Sequence, residues 1–271
     1  MQFPQANPTM RPSPWWYFAR AVYVSRRDYF RIFCWFLAIG GAAVVAGILL
    51  RVPLLLDAAY ALALLGICML AYSLIGLYRM YGHPSKRYLT RLLALGSIAG
   101  PVTVADLHIG TYRHAYELAD LLPDATIWSI DCWEAEGPSP EAAVEDVRRL
   151  EPAPQQHPRI HAGRADHYEL SLPSDSCDVV LFGFGTHEIP AGAPREKLFA
   201  EARRVLRPGG RALLFEHGFD VHNFLIFGPV IDHVTRCDAW LSLMRRFFVN
   251  IRYERSNQAV DLIAGTKSVA L

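Results

Sequence analysis

Hydrophobic positions along the chain fall into two regimes. From Ile32 to Leu50 runs IFCWFLAIGGAAVVAGILL, 19 residues without a charge, and from Ala58 to Tyr78 runs AAYALALLGICMLAYSLIGLY, another 21. Neither carries the polar stripe of a core helix, and at 1.5 Å rise per residue each predicts a helix of about 28–32 Å, the thickness of a bilayer's hydrocarbon core. The seven-residue connector Arg51–Asp57 permits only a tight turn, so the two runs read as a transmembrane helical hairpin. Beyond Arg79 short apolar runs alternate with amphipathic ones. The pattern predicts helix 86–98, strand 102–106, helix 112–121, strand 126–131, helix 140–150, strand 159–163, strand 177–182, helix 195–205 and strand 211–216. An insertion follows to Thr235, then a helix near 238–247 and strand-like 250–255 and 259–266. Such alternation predicts an α/β fold with a doubly wound, mostly parallel, Rossmann-like sheet. The expected organisation is a leader and interfacial segment over 1–31, the hairpin over 32–78, and one domain over 79–271 able to fold alone.

Composition agrees. Counting Gly and leaving out Tyr, about 55% of residues are apolar, above the roughly 45–50% of soluble chains. A cleaved signal peptide fits badly, because the first apolar run starts after residue 31 and a second follows at once. Arg20, Arg26, Arg27 and Arg31 precede the first run, and Arg79, Lys86, Arg87 and Arg91 follow the second, whereas the connector holds Arg51 beside Asp57. The positive-inside bias then places both termini, and the domain after Arg79, in the cytoplasm, with the chain a multi-pass membrane protein. Trp15, Trp16 and Tyr17, followed by alternating aromatics and arginines, suit a membrane interface and its lipid headgroups. A net charge of +1 gives no field to hold nucleic acid, and five dispersed cysteines without a CxxC pair support neither a disulfide framework nor a zinc knuckle.

In a doubly wound sheet the ligand lies beyond the carboxyl ends of the strands, near the point where strand order reverses. The first predicted strand leads into Asp106-Leu107-His108-Ile109-Gly110-Thr111-Tyr112 and the second ends at Asp131, 25 residues later. That is close to the spacing at which an acid accepts the hydroxyls of a ribose, so an adenosine-type ligand is expected.

Four segments, in this order, resemble the class I S-adenosylmethionine-dependent methyltransferases: VADLHIGTY, SID ending at Asp131, GRADHYELSLPSDSCDVV, and RRVLRPGGRALLFEHG. The resemblance covers the chain from about Tyr88 onward and implies S-adenosylmethionine as cofactor. By position it assigns Asp106, His108 and Gly110 to the loop around the methionine part, Asp131 to the ribose, Ala165 and Asp166 to the adenine edge, and Gly183 to the cofactor cleft. The first loop departs from the family pattern, because His108 and Tyr112 stand where the family carries glycine. Arg207-Pro208-Gly209-Gly210 reads as a structural turn between helix and strand.

The acceptor side is expected beyond the fourth strand, at Phe182 to Pro190. There His187 and Glu188 are the candidates to take a proton from an acceptor that must lose one. A second polar cluster, Glu216, His217, His222, Asn223, Asp232 and His233, lies in an apolar insert that suits a hydrophobic acceptor pocket. No fixed ligand spacing marks a metal site. Glu216-His217 and the runs after it also resemble membrane-anchored lipid and small-molecule methyltransferases. Together these features imply a membrane-anchored methyltransferase acting on a lipid or other apolar small molecule. The alternatives are a binding or scaffold protein with a degenerate form of the same fold, and an enzyme whose acceptor is a protein.

Overall fold

The structure is a computed structural model and describes residues 4–7, 9–133, 142–228, 231 and 234–269. Ser13 caps the first helix, α1 (Pro14–Val24), by accepting from the Trp16 N–H at 3.2 Å, and Pro14 takes the first turn, where a missing N–H costs nothing. The two apolar runs form α2 (Arg26–Leu50) and α3 (Pro53–Tyr81), each longer than its uncharged stretch. Both are long and apolar enough to cross a membrane, and only 6% of either apolar window is buried. Between them Arg51 adopts a left-handed conformation (φ 57°), which lets Pro53 start the next helix at once.

After a 3-10 turn (His83–Ser85) and α4 (Lys86–Leu95), strands and helices alternate: β1 (Thr103–His108), α5 (Arg113–Leu121), β2 (Thr126–Asp131), α6 (Ala142–Leu150), β3 (Ile160–Arg164), β4 (Cys177–Phe182), α7 (Ala193–Val205) and β5 (Leu206–His217). Then come α8 (Val221–Phe227), α9 (Cys237–Phe247), β6 (Val249–Arg255) and β7 (Val260–Thr266). The seven strands are ordered β3-β2-β1-β4-β5-β7-β6. All neighbours run parallel except β7, which is antiparallel to both β5 and β6. Strand order reverses between β1 and β4, and their carboxyl ends open the crevice in which such sheets bind ligands.

Each central strand splits its side chains between two cores. Val104, Leu213, Phe215 and Leu262 face one side with Tyr88, Leu92 and Leu118 of the helices. Ala105, Leu107, Val180, Phe182 and Leu214 face the other with Phe199 and Trp240. This two-residue alternation lets near-continuous apolar strands be buried on both faces.

Three features differ from the sequence expectation. Strand β5 runs through Arg207-Pro208-Gly209-Gly210 instead of starting after it: Gly209 takes φ 79°, and the pairing with β4 shifts register between Cys177 and Val179, which accommodates the proline as a bulge. The insertion after β5 contains α8, capped by Asp220 accepting from the Asn223 N–H at 3.0 Å. The hairpin, finally, is continuous with the α/β domain. Leu77 and Met80, on the last turns of α3, are fully buried with Tyr88, Leu92 and Leu213. Ser73 donates to the carbonyls of Leu225, at 3.1 Å, and of Ile226 in α8, and Tyr72 Oη lies 2.8 Å from His222 Nδ1. A Cβ on Gly76 would collide with the Ile226 side chain, so glycine is what lets α3 and α8 approach.

Candidate active site

The loop after β1 is built around a neutral histidine. His108 Nδ1 accepts the Gly110 N–H at 2.9 Å, which leaves the proton on Nε2 facing Ser129 Oγ at 3.0 Å, and the Ser129 hydroxyl donates to Asp106 Oδ2 at 3.1 Å. Burial pushes His108 down to about 4 and Asp106 up to about 7. His108 thus braces the loop with a side chain where the family pattern has glycine. Gly110 remains obligatory: its φ is 95°, and a Cβ would stand 2.6 Å from Arg148 Cγ.

Asp131, buried at the end of β2, receives Arg148 Nη1 at 2.7 Å and the Trp133 N–H at 3.2 Å on Oδ1, while Arg164 Nε lies 3.7 Å from Oδ2. A cavity of about 320 Å³ opens here, lined by Gly110, Tyr112, Asp131, Arg148 and Arg164. Ala165 donates its N–H to the Asp131 carbonyl at 3.1 Å, and Asp166 sits exposed in a bridge with Glu169.

Glu151, just past α6, is 3% exposed and collects four donors: Tyr17 Oη at 3.0 Å, Thr111 Oγ1 at 2.9 Å, the Tyr112 N–H at 3.1 Å, and Arg20 in a buried ion pair. It therefore ties α1 to the β1 loop. Sequence reasoning missed Glu151, Arg148, Tyr17 and Arg20. The two arginines and the tyrosine read as a helix surface and a lipid interface, and nothing local pairs residue 20 with residue 151.

A second cavity, of about 190 Å³, lies on the other side of that loop, lined by Arg20, Tyr29, Arg113, His187, Glu188 and His217 among others. Alternate loop residues face the two cavities: Ile109 and Thr111 line this one, Gly110 and Tyr112 the other. The 3-10 turn Thr186–Glu188 presents His187 between two carboxylates, with Nδ1 at 2.9 Å from Glu216 Oε2 and Nε2 at 3.3 Å from Glu188 Oε1. Burial opposes a charge there, but Glu216 and Glu188 outweigh it and raise His187 to about 10. The two carboxylates thus favour the protonated imidazole at neutral pH, where an exposed histidine is mostly neutral. Arg195 fixes the turn by donating to the carbonyls of His187 at 2.9 Å and Ile189 at 2.7 Å. His187, Glu216 and His217 present possible ligand atoms within 4.8 Å of one another, so a divalent cation could replace that proton.

Residues 106–214 match the family model described as "Methyltransferase domain". The ubiquinone/menaquinone biosynthesis C-methyltransferase of Syntrophotalea carbinolica is 26% identical over 167 residues, 57% of this chain and 63% of that protein. The chain therefore spans less than two thirds of that relative's length. The structure of a SAM-dependent methyltransferase from Aquifex aeolicus superposes with a TM-score of 0.51 at 14% identity, covering 70% of this chain and 93% of that one.

Residues 106–214 form a methyltransferase domain, and the sheet that carries it has the fold of class I, S-adenosylmethionine-dependent methyltransferases. Within this domain Asp106, His108, Gly110 and Asp131 converge at the carboxyl ends of β1 and β2, and His187 and Glu188 at that of β4. Gly183 does not face either cavity: a Cβ there would stand 3.0 Å from Phe215 and 3.1 Å from His114, so it serves packing. Gly185 takes the cavity-facing place (φ 109°), with room for no Cβ beside Ile109. Asn223 is buried and holds the Gly218 and Ala259 carbonyls at 2.9 and 3.0 Å; His222 pairs with Tyr72, and Asp232 and His233 lie outside the described residues. Two features of the loop leave acceptor capacity for a cofactor: Asp106 Oδ1 is buried with no hydrogen-bond partner, and Asp131 lines the cavity as a carboxylate, its Oδ1 engaged by Arg148, which lies against Gly110.

Proposed function

We propose that the protein is a membrane-anchored methyltransferase that transfers a methyl group to an apolar small molecule, lipid or quinone-like, at the cytoplasmic face. The observation that carries this is the buried His187–Glu188 pair, with Glu216 bonded to His187, on a cavity that α1 and the base of α2 help to wall. Asp131 and Gly110 would hold the adenosine side of S-adenosylmethionine, with Ala165 and Asp166 at the adenine edge and Asp106 and His108 behind the loop. When bound, the cofactor supplies an electrophilic methyl on a positively charged sulfur. The protein's part is then to place the acceptor and remove its proton.

Since His187 is already protonated, the proton from an O–H or acidic C–H acceptor passes to Glu188, whose carboxylate lines the cavity, while His187 holds Glu188 and Glu216 in position. Two apolar helices with cations at their outer flanks support an anchor with both termini cytoplasmic. Tethering beside the bilayer raises the effective concentration of a membrane-dissolved acceptor. The curated relative, named for ubiquinone and menaquinone biosynthesis, agrees with a quinone-like head.

One observation favours a different reading: Asp131 is held by Arg148 and Arg164, as in a fold that has given up its cofactor for a binding or scaffold role. Incubating the full chain in lipid nanodiscs with a membrane extract and methyl-labelled S-adenosylmethionine separates the two. Label in a solvent-extractable small molecule supports the proposal. Label on protein alone, or none above a Glu188→Gln control, rejects it.

A further inference from the structure

Between α2, α3 and α8 lies an apolar groove of about 810 Å³, lined by Phe33, Phe36, Ile67, Met69 and Phe224 among others. Glycine opens it. Gly40, Gly41 and Gly66 all line it, and a Cβ on Gly41 would have nothing within 4 Å. The groove adjoins the His187–Glu188 cavity at one end. Tyr29 lines both spaces, and Phe227 lines the cavity while its neighbour Gly228 lines the groove. Tyr29 Oη is fixed at this junction, donating to the Ile226 carbonyl at 3.3 Å, and Gly228 (φ 75°) lies where a Cβ would stand 2.9 Å from Ile32. From Tyr29 to Val44, both on its wall, α2 advances about 22 Å, so the groove reaches well into a hydrocarbon layer of roughly 30 Å.

We infer that this groove seats the long hydrocarbon tail, acyl or isoprenoid, of the methyl acceptor while its head enters the His187–Glu188 cavity. The inference rests on the methyltransferase reading above. Three features support this occupant over a bulk phospholipid. The cavity it meets at Tyr29 is only about 190 Å³ and is lined by hydrogen-bonding groups of both signs, Arg20, Arg113, Asp28, His187 and Glu188, which suits a small polar head better than a bulky phospholipid headgroup. Its third wall, α8, directly follows the catalytic strand β5. The polar groups Ser73 and Tyr29 on its wall are engaged with α8 carbonyls, so they recognise no headgroup. A tail that leaves lipid for an equally apolar groove gains little transfer energy. The groove therefore acts by orientation, and the informative readout is where a tail lies.

The probe is a phenol bearing a long alkyl chain with a terminal diazirine, added to the full chain in phosphatidylcholine nanodiscs. Phosphatidylcholine carrying the same diazirine is the control. Saturable labelling at Phe36, Ile67 or Phe224, competed by the unlabelled alkylphenol and absent from the outward-facing Trp35, Leu49 and Leu64, is the expected result. A Gly41→Trp side chain would occupy the groove and lower that labelling by about tenfold while leaving S-adenosylhomocysteine binding unchanged. Ala63→Phe, also on the groove wall, serves if Gly41→Trp does not fold. Labelling that is unsaturable, equal on both faces, or equally competed by phosphatidylcholine overturns the inference. Failure of wild type to bind S-adenosylhomocysteine strikes at the methyltransferase reading instead.

Discussion

His187 keeps a proton that an exposed imidazole would lose near neutrality, because Glu216 and Glu188 flank it in a buried turn. The proton's contribution to stability is complete below the ordinary value of 6.5 and is lost as pH rises through about 10. His187→Gln should therefore flatten the fall in Tm across that window, as pH-dependent thermal melts would read. Asp106 acts at lower pH: burial raises it from 3.8 to about 7, so its protonated form stabilises the fold and that contribution is lost as pH rises through 7. Asp106→Asn should remove this slope, and an unchanged slope would place the titration elsewhere. In turnover, Glu188→Gln should lower kcat by about 10²–10⁴-fold, the usual worth of a positioned base. The places of Asp106, Gly110, Asp131, His187 and Glu188 at the carboxyl ends of β1, β2 and β4 were legible in the sequence, because the hydrophobic pattern locates those strands. Arg148, Glu151 and Arg20 were not, since their meeting depends on how α1 and α6 settle over the sheet.

Helix α1 shows how an element can satisfy one reading and serve another. Its Trp, Tyr and Arg content suits a lipid surface, yet Tyr17, Arg20 and Ala21 are buried, and Arg20 and Tyr17 reach Glu151. Removing one member of a buried ion pair typically costs about 3–5 kcal/mol, because the partner is left buried and unpaired. Arg20→Ala should destabilise the protein by about that amount, and adding Glu151→Gln should recover part of it. Additive losses in urea titrations would show the pair to be uncoupled. The strands were the most legible elements, because apolar runs such as CDVVLF are buried on both faces. Helix α8 was not, since its short sequence VHNFLIF is folded by its fit against α3 and not by a long period of its own. The turn expected at Pro208 became part of β5 because a positive-φ Gly209 absorbs the kink.

At the scale of the whole molecule, hairpin and catalytic domain share one core through Leu77, Met80 and the α3–α8 seam. A chain begun at Arg79 should melt well below the full-length protein in the same detergent, or aggregate, and an unchanged Tm would restore the expectation of an independent domain. Tags at either terminus should report cytoplasm and a tag in 51–57 the far side, with opposite answers for the two termini contradicting the hairpin. The sequence conveyed the existence of both parts, because length and hydropathy mark one and motif order the other. It could not convey their union, which depends on side chains far apart in the chain. The central claim is that the crevice beyond β1 and β2 binds S-adenosylmethionine through Asp131, with His187 on the acceptor side. Its most direct test is calorimetric titration of the full-length protein with S-adenosylhomocysteine. Saturable binding that Asp131→Ala weakens by roughly ten- to a hundredfold, and His187→Ala far less, is the predicted result. No binding, or equal weakening by both substitutions in folded protein, would contradict it.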